Sequence, residues 1–232
     1  KVVLVTPAIP GEPVKRNVRN NSGGLTFLFL GSINNPDEFL MKGGLEALES
    51  FKMVSAKYPD TKLIMRCKVP LHIKEKYSSI NGIEFVEQRV PFEELQAIYL
   101  KSDALLMPGY GYFIMAFLEA FQYGLPIISL DTYGVKEFVK QNKTGFYVSA
   151  SKNVPIEVEE YPANVRSKSF AESIMNVDNK VISALSDKLE KLIKDRTLLD
   201  SMSKKCQEEF RERYSYLTKI NKLKDIFDKA RD

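Results

Sequence analysis

Short apolar runs alternate with longer amphipathic segments along most of the chain. Val2 to Thr6 predicts a strand, and Pro7 to Gly24, rich in Pro, Gly and Asn, a linker or loop. Leu25 to Gly31 is a continuous apolar run ending in glycine, as a strand covered on both faces requires. From Gly43 to Tyr58, Leu45, Leu48, Phe51 and Val54 recur at helical spacing, with Glu46, Glu49 and Lys52 between them. The alternation continues with strands predicted at Lys62–Met65, Ile83–Val86, Ala104–Met107, Pro126–Leu130 and Gly145–Val148. Helices are predicted between them at Leu71–Ser78, Pro91–Lys101, Phe113–Tyr123 and Val135–Gln141. Gly124 and Pro126 stop the third of these. Ser149 to Asp178 is polar and aperiodic, which predicts a long loop with a short helix near Phe170 to Met175. Beyond Lys180 the pattern is helical throughout. Leu185, Leu189, Leu192 and Ile193 form one stripe, and further helices are expected at Leu198–Tyr214 and Leu217–Ala230.

Strands alternating with helices mean βαβ units. The expected fold class is α/β: a Rossmann-like parallel sheet flanked by helices, with a helical C-terminal tail. Residues 1–24 read as a join and linker, 25–178 as the sheet domain with its long loop at 149–178, and 179–232 as helices packing on that domain.

Composition narrows the function classes. Of the 232 residues 44% are hydrophobic and 28% charged, an ordinary globular balance. The net charge of +4, from 34 basic and 30 acidic residues, is too mild to point to nucleic acid. Cys67 and Cys206 stand in no metal or redox spacing and read as reduced thiols of a cytoplasmic protein. With His72 the single histidine, neither a catalytic triad nor a histidine-rich metal site is expected. No apolar run reaches the ~20 residues of a membrane span. No leader pattern is visible, and the opening Lys reads as the start of a fragment.

Ligands of an open parallel sheet bind beyond the carboxyl ends of its strands, so the loops there carry the candidate chemistry. After the first buried strand, Gly31-Ser32 leads to Lys42-Gly43-Gly44 at a helix start, where amides, dipole and ammonium suit a phosphate. A solvated lysine beside turn glycines is the equal alternative. The P-loop order is absent. After Met107, Pro108-Gly109-Tyr110-Gly111-Tyr112-Phe113 turns tightly into a helix. Its glycines permit close backbone approach, and its tyrosines either stack on a base or sugar or lie on the surface. Glu119 is a lone carboxylate in an apolar helix, either exposed or a ligand for a ribose diol. Asp131 to Gly134 suits a turn and cap, and Glu137 a first helical turn. No G-x-G-x-x-G follows the first strand, which argues against a dinucleotide cofactor.

Taken together, Met107-Pro108, the glycine turn, Leu118-Glu119-Ala120 and Gly124-Leu125-Pro126 resemble the signature of retaining glycosyltransferases of the two-domain GT-B type, group 1 or family 4. Phe29-Leu30-Gly31 with Lys42-Gly43 is similar to that family's first donor loop. Val90-Pro91 with Glu93, Glu94, Leu95 and Tyr99 resembles its middle helix, and Thr144-Gly145-Phe146 its last turn. The resemblance spans about residues 1–148 and, more loosely, the helical tail.

It implies a C-terminal, nucleotide-sugar-binding half. Glu119 would hold the ribose hydroxyls, Lys42 would face the diphosphate as the catalytic cation, and the Gly111-Tyr112-Phe113 turn would face phosphate or sugar. Lys1 to Pro10 would join an N-terminal half that supplies the acceptor site. The chain departs from the family at Gly111, where a second glutamate is usual, at Ser32, where an arginine is usual, and at Arg66, where glycine is common. Arg66 is the candidate replacement charge. The implied donor-binding set is Gly31, Ser32, Lys42, Arg66, Gly111, Tyr112, Phe113 and Glu119. No metal or separate cofactor is expected, because the nucleotide sugar is the substrate. The alternative is a degenerate relative that binds a nucleotide or partner without turnover. Basic residues Lys204, Lys205, Arg211 and Arg213 form either a solvated face or a peripheral membrane contact.

Overall fold

The computed structural model describes residues 3–15, 23–36, 38–111, 113–155 and 168–229. Six parallel strands form one sheet: β1 (Thr26–Leu30), β2 (Lys62–Arg66), β3 (Ile83–Phe85), β4 (Ala104–Leu106), β5 (Ile127–Leu130) and β6 (Gly145–Val148). Their spatial order is β3-β2-β1-β4-β5-β6. The order reverses direction between β1 and β4, which makes that crevice the topological switch point. Leu30 lies beside Arg66 in register, and Leu28 beside Leu105.

The unbroken apolar runs are explained by cover on both faces. Phe27 and Phe29 point into one core with Leu63 and Met65; Leu28 and Leu30 point into the other with Ile64 and Leu105. The first core is closed by α2 (Gly44–Ser55) and α8 (Asn179–Lys194), whose Leu185, Leu189 and Leu192 are fully buried. Small residues allow these two helices to approach closely: the Ser186 hydroxyl lies 3.2 Å from the Ser50 carbonyl. The second core is closed by α4 (Phe92–Lys101), α5 (Ile114–Gln122) and α9 (Arg196–Glu209), through residues such as Ile98, Leu118 and Cys206. Both cysteines are buried, and neither forms a disulfide among the described residues. Burial pushes the Cys67 thiol up to about 12.

The remaining helices are α1 (Glu38–Met41), α3 (Leu71–Tyr77), α6 (Val135–Phe138), α7 (Lys168–Ser173) and α10 (Tyr216–Asp228). Phe210–Tyr214 adds a π turn, and its wider spacing buries both terminal rings. No residue of α10 is buried, and Leu217, Ile220 and Phe227 on it are exposed.

Several expectations are corrected. Residues 3–6 form no strand: they pair with neither edge strand, β3 nor β6, and Leu4 is 77% exposed. Instead Ile9 makes an isolated bridge to Ser215. The helix expected over Val135–Gln141 stops at Phe138, because Val139 turns extended and the Lys140 amide bonds the Thr144 hydroxyl. Glu46, which stands between the apolar positions of the α2 pattern, is itself buried, 1% exposed. Tyr110 is neither on the surface nor open to a ligand, but buried. Residues 156–167 of the long loop lie outside the described residues; α7 stands near the expected short helix, a little earlier in the chain.

Candidate functional site

The switch point opens into a cavity of about 470 Å³, with Gly31, Lys42, Arg66, Tyr99, Phe113 and Glu119 in its wall. Gly31 follows β1 and lies so close to β2 that a Cβ there would meet the Cys67 Cβ at 2.4 Å. Its amide donates to the Arg66 carbonyl at 3.0 Å, so the first loop starts by hugging the neighbouring strand.

Lys42 opens the turn between α1 and α2. Its ammonium stands 3.3 Å from the Glu38 carboxylate and 5.4 Å from the Phe113 ring centre. Gly43 then takes the left-handed conformation, φ 78°, and a Cβ on it would lie 2.0 Å from the Pro108 carbonyl oxygen. Glycine is therefore required where the Lys42 turn presses on the loop after β4. That loop delivers the start of α5 to the cavity, where Ile114, Met115 and Ala116 of its first turn line the wall. No side chain caps this helix start. Its first amides and the positive end of its dipole suit an anion.

Arg66 closes β2 and reaches the same cavity. It makes no ion pair among the described residues, and its buried Nε has no hydrogen-bond partner. A buried, unsatisfied guanidinium nitrogen is costly, and an anion in the cavity would relieve it.

Glu119 is half-buried on α5 and accepts a hydrogen bond from the Tyr99 hydroxyl of α4. Tyr99 stacks on Tyr123, with ring centres 4.6 Å apart and planes 9° apart. Burial, reinforced by the Glu119 charge, holds the Tyr99 phenol well above its ordinary value, so it remains a donor to the carboxylate. Glu119 also borders a second groove of about 550 Å³ walled by Ile9, Val14 and Tyr123.

Five of the sequence-derived candidates thus meet at one cavity: Gly31, Lys42, Arg66, Phe113 and Glu119. Ser32 stays in its own loop, where its hydroxyl accepts from the Asn34 and Asn35 amides at 3.3 and 3.0 Å. Gly111 is buried behind the Phe113 ring and lines a separate small crevice. Tyr112 lies outside the described residues. Tyr99 was missed as a site residue. Its signal was an aromatic hydroxyl on the otherwise apolar side of α4, which needs a polar partner once buried.

Among the described residues no group of three or more His, Cys, Asp or Glu could hold a metal ion, and no helix is long and apolar enough to cross a membrane. The sheet and helices match the C-terminal domain of a glycosyl transferase group 1 family protein, LpcC, from Francisella tularensis: TM-score 0.61, 16% identity, 84% of this chain and 88% of that one. They also match the pneumococcal O-GlcNAc transferase GtfA in complex with UDP and GlcNAc (TM-score 0.64, 14% identity, 94% of this chain, 38% of that one). A third match is Anabaena Alr3699/HepE in complex with UDP and glucose (0.58, 12%, 90% and 49%). The chain spans under half the length of these last two proteins. At such identities the likeness is one of fold. No curated protein sequence matches significantly. The profile of the family described as glycosyl transferases group 1 matches residues 24–160, more than half of the chain. The chain belongs to the group 1 glycosyl transferases.

Proposed function

We propose that this domain binds a nucleoside-diphosphate sugar and serves as the donor half of a retaining hexosyltransferase. The observation that carries the reading is one cavity at the switch point holding two cations, Lys42 and Arg66, an uncapped helix start, and the Glu119 carboxylate. A diphosphate needs the first three, and a ribose diol needs the fourth. Glu119 would accept from two ribose hydroxyls, with Tyr99 fixing its orientation from behind. As the bond to the anomeric carbon breaks, negative charge grows on the departing diphosphate. Lys42, Arg66 and the α5 amides would meet that charge already oriented, which is how such groups lower a barrier. Removing one such donor elsewhere costs on the order of 10²–10³ in rate, and that is the role assigned to Lys42. The acceptor would be bound by an N-terminal half, in keeping with the greater length of the two UDP-bound structural relatives.

Calorimetric titration with UDP and GDP and their sugar conjugates tests the donor site. Binding of one nucleotide is expected, weakened about ten- to a hundred-fold in Glu119→Ala by loss of hydrogen bonds to a charged group. Folded protein that binds no nucleotide would overturn the reading. A second reading is favoured by two features: position 111 carries no side chain, and Ser32 is engaged by its own loop. It is a nucleotide-binding relative without turnover. Nucleotide binding with no sugar transfer by the full-length protein would decide for it.

A further inference from the structure

Glu46 lies in the first turn of α2, just after the Lys42-Gly43 turn, and is buried. Its side chain has a single hydrogen-bond partner among the described residues: Oε1 accepts from the Tyr110 hydroxyl at 2.7 Å, and Oε2 is buried with none. Tyr110 is the centre of the glycine turn after β4. Its amide donates to the Met41 carbonyl at 2.8 Å, beside Lys42. Its ring meets Phe170 of α7 edge-on. The same turn is pinned from β5 by the Thr132 hydroxyl, which donates to the Gly109 carbonyl at 3.0 Å. One tyrosine thus ties the two loops that form the anion side of the cavity.

We propose that the Glu46–Tyr110 pair is a positioning latch that holds the Gly109–Gly111 turn against the Lys42-Gly43 turn, and that it releases when Glu46 ionises. The proposal rests on the donor-site reading for its functional consequence, and on geometry alone for the latch. Burial, opposed by the Tyr110 hydrogen bond and its own amide, pushes the Glu46 carboxyl up to about 7. The other charged group acting on the pair is Asp178 at the start of α8, which is held by the Ser151 hydroxyl and the Lys180 amide and adds negative charge near Tyr110. While it stays buried an ionised Glu46 holds the Tyr110 hydroxyl more tightly, so release requires the carboxylate to swing out to water, where the bond to Tyr110 is lost.

If only the latched form is competent, apparent affinity scales with its fraction. That fraction falls about ten-fold between one pH unit below the Glu46 midpoint and one unit above it. Glu46→Gln keeps the shape and the Tyr110 bond but cannot ionise, and His72 is unchanged in it. Hydrogen exchange at the Tyr110 amide reads the latch without any donor. Its protection is expected to fall from pH 6 to 8 in the natural protein and to stay level in Glu46→Gln. UDP affinity measured across the same range is expected to drop about ten-fold relative to Glu46→Gln. Tyr110→Phe is expected to give the loosened amide and weak UDP binding already at pH 6. Identical exchange profiles for the natural protein and Glu46→Gln would overturn the latch, whatever UDP does. Differing exchange profiles with identical UDP profiles would overturn its coupling to the cavity. No UDP binding by any variant at any pH would remove the donor reading, and the exchange profiles would still decide the latch.

Discussion

Arg66 carries a cost that a ligand would remove: a buried nitrogen with no partner among the described residues, in the wall of the cavity. Arg66→Met keeps the length of the side chain and deletes it. Its thermal midpoint is expected to hold or rise, because an orphaned buried donor is gone. Its nucleotide affinity is expected to fall about ten-fold, the loss of one charge-assisted contact. The two measurements moving in opposite directions would separate a binding residue from a structural one; a fall in both would mark Arg66 as part of the fold. At this scale much of the candidate site was legible. Lys42 beside two glycines and Glu119 alone on an apolar helix are chemically out of place unless something uses them. Glu46 was not legible, because helical periodicity assigns any carboxylate between apolar positions to the wet face. Its burial depends on Tyr110, 64 residues away, supplying a hydroxyl.

Among the elements, the Lys42 turn is the least replaceable. Gly43→Ala places a methyl group against the Pro108 carbonyl at a positive φ. Strain of that kind costs on the order of 1–3 kcal/mol before the clash is counted. Loss of several degrees in thermal midpoint is expected, with weaker nucleotide binding, as the turn moves off the β4 loop. An unchanged midpoint would mean that the two loops are not in contact. Elements with regular burial were read well: β1 is apolar and buried from Phe27 to Leu30 since both faces are covered. Elements of a single turn were not. α1 spans Glu38–Met41 and α6 Val135–Phe138, each too short for a period to show. The Val2–Thr6 segment misled for the opposite reason, since its composition suits a strand but residues 3–6 pair with neither edge strand, β3 nor β6.

For the molecule as a whole, alternation of strands and helices announced a parallel sheet, but nothing local determined the order β3-β2-β1-β4-β5-β6. That order is what gathers residues 31, 42, 66, 113 and 119 at one crevice. Its stability should depend on pH in two windows. Glu87 and Glu49 are held below the ordinary carboxylate value, chiefly by Lys74 and by Tyr77 against the opposing cost of burial, so their contribution is lost as pH falls below about 4.5. Glu46 has the opposite sign. Raised from 4.5 to about 7, it contributes fully below 4.5 and is lost as pH rises through 7, a change on the order of 3 kcal/mol. Denaturant unfolding should therefore show greater stability near pH 5 than near pH 8, and Glu46→Gln should flatten the alkaline side; a flat natural profile would contradict this. The Ile9–Ser215 bridge has a consequence in time as well as in space. The Thr6 hydroxyl that accompanies it reaches the Arg213 carbonyl 207 residues along the chain. Pairings so distant close late, because the intervening chain must first be made and then confined. Pro7, beside that bridge, is part of the cavity wall. On the ribosome, residues 6–9 would thus be among the last of this domain to find their place, and the cavity would stay open on that side until nearly the whole domain had emerged.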